Sequence, residues 1–320
     1  MFNNSTLNLI QAPLAGVSNT PFRELLWTYS EPRYACTEMI SCKTIIHDLA
    51  FAAKRFINKS PIEKKLCVQL SSDNPQEVAE AVKRVTDLGA DVIDLNCGCP
   101  KKKIRSKGTG SKLLTDPQKL FHLITAMKQH THVPVSVKIR VDSDSGDKFN
   151  MLVAKSIADA GADFVVVHGR HWTARYDVPC NYDEIQFFVE TLKIPIIGNG
   201  DIACADSLKK MFATGCAGAM IGRAGVGQPW LIQQLQTELS GEKFIKPTLQ
   251  EIGQIFLTHV AKLIELLQSE KFAVLQARTF AKYYARDLPA RAQFCELVNQ
   301  CEDYARLEVI VNQFMKGRSD

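Results

Sequence analysis

Short β-branched runs recur along the first two-thirds of the chain, and stretches with helical periodicity separate them. This alternation constrains the fold more than anything else in the sequence. The runs lie near Leu9–Pro13, Tyr34–Glu38, Leu66–Leu70, Asp91–Asn96, Val133–Arg140, Asp163–His168, Ile194–Asn199 and Ala217–Gly222. Between them, segments such as Pro75–Leu88 place Val78, Ala81, Val82 and Val85 at helical spacing. Gly89, Gly161 and Gly215 fall where such helices should end, each followed by Ala or Cys and then a new strand. Eight strands alternating with helices over roughly 240 residues is the size and pattern of a (β/α)8 TIM barrel. A doubly wound sheet competes on pattern alone. It usually announces a dinucleotide site by a glycine fingerprint after the first strand, and Pro13-Leu14-Ala15-Gly16 is not one.

From about Pro247 the strands stop. Ile252, Ile255, Phe256, Val260, Leu263, Ile264 and Leu267 make a helical stripe, and two or three further helices follow to Gly317. The expected organisation is a barrel over residues 1–242 and a small all-helical C-terminal domain over 243–320.

With 46% hydrophobic residues the chain can bury a sizeable core, and no apolar run approaches the ~18 residues that span a bilayer. The start of the sequence lacks a basic region ahead of an apolar one, so no secretory signal is expected. Ten cysteines follow no regular framework and no zinc spacing, which fits reduced thiols in a cytoplasmic protein. A monomer is the default assembly. The net charge is only +5, yet Lys101, Lys102, Lys103, Arg105, Lys107 and Lys112 supply +6 within one acid-free stretch. Charge focused in one loop steers an anionic partner better than the same charge spread out.

In a barrel of this kind, binding and catalytic groups sit at the C-terminal ends of the strands. Those positions hold Gln69, Asn96 with Cys99, Lys138 with Arg140, His168 with Arg170, Asn199 with Asp201, and Gly222 with Arg223. Buried polar groups are costly unless paired, so their recurrence at six strand ends points to one shared site. A lysine inside Val135-Ser136-Val137-Lys138-Ile139 demands an anionic or electron-rich partner. The glycine turns at Gly198-Asn199-Gly200-Asp201 and Gly222-Arg223, after the seventh and eighth runs, match the usual phosphate cradle of the fold. They imply a phosphorylated cofactor or substrate.

Seven segments then appear in a telling order: Ala12–Gly16, Val68–Leu70, Asp94-Leu95-Asn96-Cys97-Gly98-Cys99-Pro100, Val137–Arg140, Val167-His168-Gly169-Arg170, Gly198–Asp201 and Ile221–Arg223. Together they resemble the bacterial tRNA-dihydrouridine synthases, from about residue 9 to 235, with a less sharp likeness in the tail. The resemblance implies a barrel that holds FMN, takes electrons from NADPH and reduces the C5–C6 double bond of particular uridines in the D-loop of tRNA. Carried over by position, it implies FMN contacts from Pro13, Leu14, Ala15, Gln69, Lys138, His168, Asn199, Gly200, Asp201, Gly222 and Arg223. It makes Cys99 the general acid and leaves Cys97 as a packed neighbour.

Physical logic agrees. Hydride addition at uracil C6 leaves an enolate-like charge that a proton at C5 must quench, and a thiol with an ordinary pKa of ~8.5 is largely protonated at neutral pH. A cation at Lys138 would stabilise a reduced flavin. Asn96 would orient the uracil, a base flipped into the mouth. Lys101, Lys102, Lys103, Arg105, Arg140 and Arg170 would contact the RNA. In the tail, Arg278, Lys282, Tyr283, Tyr284 and Arg286 mix cations with aromatics near helical spacing, a pattern suited to backbone contacts and stacking on RNA. Three features depart from the family pattern: Leu14 stands where methionine is usual, His171–Tyr176 replaces a threonine-led run, and the tail lacks the usual histidine after Lys282, with 9 basic against 9 acidic groups over residues 247–320. A flavin barrel acting on a free pyrimidine, of the dihydroorotate dehydrogenase kind, and a non-catalytic RNA-binding barrel are the competing functions. A lysine-based aldolase is a further one, and it gives Cys99 no task.

Overall fold

Side chains alternate between the two faces of a strand, and closing strands into a ring makes one of those faces an interior. The computed structural model, which describes residues 2, 7–142, 146–175 and 177–316, has this ring. Its strands are β1 (Leu9–Gln11), β2 (Ala35–Cys36), β3 (Ile40–Ser41), β4 (Leu66–Ser71), β5 (Val92–Cys97), β6 (Val135–Val141), β7 (Phe164–His171), β8 (Ile196–Asn199) and β9 (Gly218–Ile221). All described pairings are parallel, and β1–β2, β2–β4 and β1–β9 contacts close the barrel.

The run expected at Tyr34–Glu38 is shorter than its sequence suggests. Its backbone makes a last ladder bond from the Thr37 N–H to the Cys67 carbonyl at 2.8 Å, leaves, and rejoins β4 as β3, with Ile40 opposite Leu70. Side-chain bonds replace the ladder in between: Thr37 Oγ1 accepts from the Gln69 N–H at 3.1 Å and donates to the Glu38 carbonyl at 2.7 Å.

The period of two sorts every strand. Ile10, Cys67, Val92, Phe164, Val166, Ile197 and Met220 meet in one buried cluster inside the barrel. Val68, Leu70, Ile93, Leu95, Cys97, Val137, Ile139, Val165 and Val167 pack outward in a larger cluster under the surrounding helices. Further along the inward face the register sets Gln69 beside Asp94, Asp94 beside Ser136, Asn96 beside Lys138, and His168 beside Asn199. An apolar floor therefore passes into a polar mouth at the C-terminal ends of the strands.

After the helix Leu231–Leu239, four helices, Leu249–Leu267, Glu270–Tyr284, Arg291–Gln300 and Tyr304–Met315, build a second core. The first begins with a capping box, Thr248 bonding the Glu251 N–H while the Glu251 carboxylate accepts from Thr248 N–H at 2.7 Å. Phe256, Phe280, Tyr284 and Phe294 fill this core, and Leu25, Val226 and Trp230 join it from the barrel side. Polar ties reinforce the seam. Lys262 donates to Glu24 at 3.0 Å, Gln276 to the Gly16 carbonyl at 2.7 Å, and Arg286 to the carbonyls of Ala224 and Val226 at 3.1 and 2.7 Å. Among the described residues, no helix is long and apolar enough to cross a membrane.

Gly227 sits at the closest approach of the two parts. Its φ is +72°, and a Cβ there would stand 2.5 Å from the Tyr283 carbonyl carbon and 2.6 Å from the Tyr284 nitrogen. Both atoms belong to a helix backbone that cannot give way locally. Gly227→Ala is therefore expected to destabilise the protein by about 2–4 kcal/mol, from the left-handed φ and overpacking together. Urea unfolding at pH 7 measures it, and an unchanged midpoint would show that the helical part docks more loosely than described.

Candidate active site at the barrel mouth

β6 to β9 end on one cavity of about 450 Å³, which Pro13 and Leu14 after β1 also line. Lys138 reaches it from β6 and donates to Asn199 Oδ1 at 2.8 Å, while Asn199 Nδ2 donates to the Met220 carbonyl at 2.7 Å. Burial draws the Lys138 pKa down to about 8, with Arg140 adding to the effect and Asp94 resisting it. His168 is held well below the usual imidazole range, first by burial and then by Lys138, Arg140, Arg170 and Arg223. Arg170 Nη1 lies 3.0 Å from His168 Nε2. A guanidinium only donates, so Nε2 accepts and the neutral ring carries its proton on Nδ1.

Asp201 organises the loops rather than standing free. It adopts φ 50° and accepts from Arg170 Nη2 and, at 2.9 Å, from the Cys180 N–H, with Arg223 at 3.8 Å. Partial burial opposes its ionisation, yet the Arg170 and Cys180 bonds and the charges of Arg170 and Arg223 hold its pKa below the ordinary value. Gly222 has nothing within 4 Å of the place a Cβ would take, so its backbone faces open space. Tyr283 and Arg286 of the helical tail close the cavity. The ionised side chains of its wall are Lys138, Arg170, Arg223 and Arg286 against Asp201 alone, with His168 neutral, which suits a ligand bearing a phosphate group.

The neighbouring strand carries the thiols. Period-two alternation turns Asp94 and Asn96 of β5 inward and Cys97 outward, where it is 0% exposed and burial pushes its thiol well up. Cys99 lies beyond the strand and is partly exposed. Its N–H donates to Asn96 Oδ1 at 3.1 Å, Asn96 Nδ2 donates to Gln69 Oε1 at 2.8 Å, and Gln69 Nε2 donates to Asp94 Oδ2 at 2.8 Å. Ser136 Oγ donates to the other Asp94 oxygen at 2.5 Å. From the opposite side, Ser111 donates to the Cys99 carbonyl through N at 3.0 Å and through Oγ at 3.2 Å. Gly110, at φ +63°, allows this approach, since a Cβ there would stand 2.6 Å from the Cys99 oxygen.

Lys101, Lys102 and Lys103 are exposed on the turn that follows. Arg105 instead lies flat over Trp172, its guanidinium carbon 3.7 Å from the ring centroid, and donates to Ser111 Oγ at 2.9 Å. Trp172 Nε1 donates to Asp142 at 3.2 Å, and Arg140 donates to the carbonyls of His171 and Ala174 at 3.1 and 3.0 Å. Arg105 and Arg140 thus hold loops. Tyr176 lies outside the described residues.

A family model for dihydrouridine synthases matches residues 10–316. The chain belongs to the dihydrouridine synthase family. Among curated relatives, tRNA-dihydrouridine synthase B of Pseudomonas aeruginosa is 32% identical over 98% of this chain and 94% of its own length. The protein of the same name from Pseudomonas syringae pv. tomato is 33% identical over 92% and 87%. That from Vibrio cholerae is 32% identical over 92% and 91%. A solved structure, DHODH from Eimeria tenella in complex with ferulenol, matches 55% of this chain and 57% of its own at 17% identity and a TM-score of 0.43. That likeness is too distant to bear on the substrate.

Of the positions matched to the family's cofactor contacts, Pro13, Leu14, Lys138, His168, Asn199, Gly200, Asp201, Gly222 and Arg223 line the cavity. Ala15 is exposed outside that wall, and Gln69 is buried beneath Asn96. The tail residues expected at RNA divide. Tyr283 lines the cavity, with Lys282 exposed over its ring; Arg278 donates to the Cys301 carbonyl; Tyr284 is buried, 3.0 Å from His259 Nδ1. Sequence reasoning gave Asp94 no role, although an acid within an apolar strand is the same signal that marked Lys138. It also missed Arg286 as a cavity residue, because helical spacing does not say which face docks.

Lys138 in this dihydrouridine synthase carries a testable penalty. Its folded pKa of about 8 lies below its ordinary value of 10.5, so the charged form is disfavoured by folding. The penalty is complete below about pH 8, fades as pH rises and vanishes above about 10.5. Lys138→Met should stabilise the ligand-free protein by about 1–3 kcal/mol at pH 7, with the gain shrinking toward pH 10. Urea unfolding at the two pH values checks both sign and trend.

Proposed function

We propose that this chain is a tRNA-dihydrouridine synthase that holds FMN in the cavity at the ends of β6 to β9, takes electrons from NADPH and reduces uridines of the tRNA D-loop. The observation that carries the reading is the conjunction of that cation-rich, glycine-edged cavity with the thiol loop of the neighbouring strand, in a chain that matches its family over residues 10–316. The residues present fit the group. The open space at Gly222 and the cations Arg223 and Arg286 suit a phosphate, and the half-buried ammonium of Lys138 in the cavity wall suits a ring that becomes anionic on reduction.

When bound and reduced, the flavin supplies the hydride for uracil C6. This chain does the rest. Lys138 offsets negative charge in the cavity, and neutral His168 offers its Nδ1 proton as a donor. Cys99 gives its thiol proton to C5. Asn96 has one Nδ2 hydrogen committed to Gln69, and its second can meet a uracil carbonyl. Access requires the uridine to leave its stack. The exposed Lys101, Lys102 and Lys103 grip phosphates beside it, and residues 243–320 act as a tRNA-binding domain, with Lys282 among their outward cations. The protein works as a monomer in the cytoplasm, where its tRNA is found.

The test is direct. Purified protein, NADPH and tRNA from a strain lacking it should yield dihydrouridine; activity on free orotate with none on tRNA would sink the proposal. Cys99→Ala should lower turnover by about 10²–10⁴-fold while keeping flavin and tRNA binding, and Cys97→Ala should stay active. Inactivity of Cys97→Ala alone would reverse the assignment. Replacing Lys101–Lys103 with alanine should flatten the slope of log Kd against log salt by about 1–3, one for each phosphate no longer neutralised.

A further inference from the structure

The acid that no role has yet absorbed is Asp94, 3% exposed in the middle of β5. It is not one of the residues that line the cavity, though its charge acts on Lys138 of that wall. It does stand at the root of the hydrogen-bond chain that ends on the Cys99 amide. We propose that Asp94 is a positioning residue for the proton donor: it fixes the amide orientations of Gln69 and Asn96, and through them the conformation of the Cys99 loop. The inference rests on the reading of Cys99 as the general acid.

The argument is one of polarity. A carboxylate only accepts hydrogen bonds, whereas a primary amide can present either its oxygen or its nitrogen. Asp94 accepts from Ser136 on one oxygen and from Gln69 Nε2 on the other. Gln69 must therefore turn its Oε1 toward Asn96, Asn96 must turn Nδ2 toward Gln69, and its Oδ1 is left aimed at the Cys99 N–H. Each member is buried, so a reversed amide would set two donors or two acceptors face to face without water to relieve them. The acid can serve as such a root at neutral pH. Burial raises its pKa to about 6, with the Ser136 and Gln69 bonds and the charge of Lys138 limiting the rise. Cys97 cannot take the place of Cys99 in this arrangement, because its side chain packs on the opposite face of the strand.

Asp94→Asn keeps the shape of the side chain and removes its single polarity. In the FMN-loaded enzyme, amide hydrogen exchange at Cys99, read by mass spectrometry on the peptide that contains it, should quicken by about 10-fold or more. Reoxidation of the NADPH-reduced enzyme by tRNA should slow by about 10–100-fold, as for a misplaced reacting group, with KM for tRNA changed by less than about twofold. Combined with Cys99→Ala, it should cost nothing further, because the two act as one unit. Gln69→Leu cuts the chain while leaving Asp94 beside Lys138, and should raise Cys99 exchange in the same way; it decides the matter if Asp94→Asn does not fold. Unchanged Cys99 exchange in these variants overturns the inference, as does a multiplicative loss in the double variant. If the reduced wild-type enzyme is not reoxidised by tRNA, the proposed function falls, and the exchange measurements still judge the positioning role.

Discussion

The mouth of this barrel is governed by the cost of holding polar groups where water cannot reach them. Strand alternation turns Gln69, Asp94, Asn96, Ser136, Lys138, His168 and Asn199 toward one axis above an apolar floor, and each must find a partner among these or the residues beside them. The partners found are not arbitrary. Each chain of bonds starts from a group with one possible polarity. Asp94 only accepts, and it orders Gln69 and Asn96; Lys138 only donates, and it orders Asn199; Arg170 only donates, and it sets the tautomer of His168. Charges at the roots thus orient neutral amides and imidazole at the tips. The same burial that makes Lys138 and Asp94 costly also makes the geometry above them definite.

The helical tail belongs to this site as well as to its own core. Arg286 bonds the carbonyls of Ala224 and Val226, which follow directly on the glycine turn at Gly222, and both Arg286 and Tyr283 line the cavity. Gly227 lets the backbone of that segment press against the helix at Tyr283 and Tyr284. Any shift of the helix Glu270–Tyr284 therefore moves one wall of the cavity. The position of the tail and the shape of the cavity are mechanically joined through these contacts.

Much of this was legible in the sequence, and what was not has a physical reason. All eight strands of the ring lie where the β-branched runs fall, because a strand buried on both faces needs an apolar run and leaves a strong signal. The second strand broke the pattern, since the Thr37 hydroxyl takes the Gln69 N–H where a backbone carbonyl would continue the ladder. The strand-end rule found Lys138, His168, Asn199 and Gly222 because position along a strand fixes direction. It could not give Arg105 or Arg140 their loop-holding tasks: a stack on Trp172 and bonds to the His171 and Ala174 carbonyls depend on how two loops meet, and no periodicity encodes that. In the tail, one helix carries a cavity-lining Tyr283, an exposed Lys282 and a buried Tyr284 in succession, and only the docked structure separates them.

The six cations after the thiol motif look equivalent in sequence and are not equivalent in space. Arg105 is partly buried against Trp172 and tied to Ser111, the residue that also bonds the Cys99 carbonyl. Lys101, Lys102, Lys103, Lys107 and Lys112 are exposed. The loop therefore has one cation that faces the fold and several that face outward, on a backbone whose first turn begins two residues beyond Cys99. An anion drawn to the outer lysines pulls on the segment that Asn96 and Ser111 hold from within. The outward charge and the placement of the thiol are consequently properties of a single short stretch of chain, held on one side by Asn96 and on the other by the Trp172 loop.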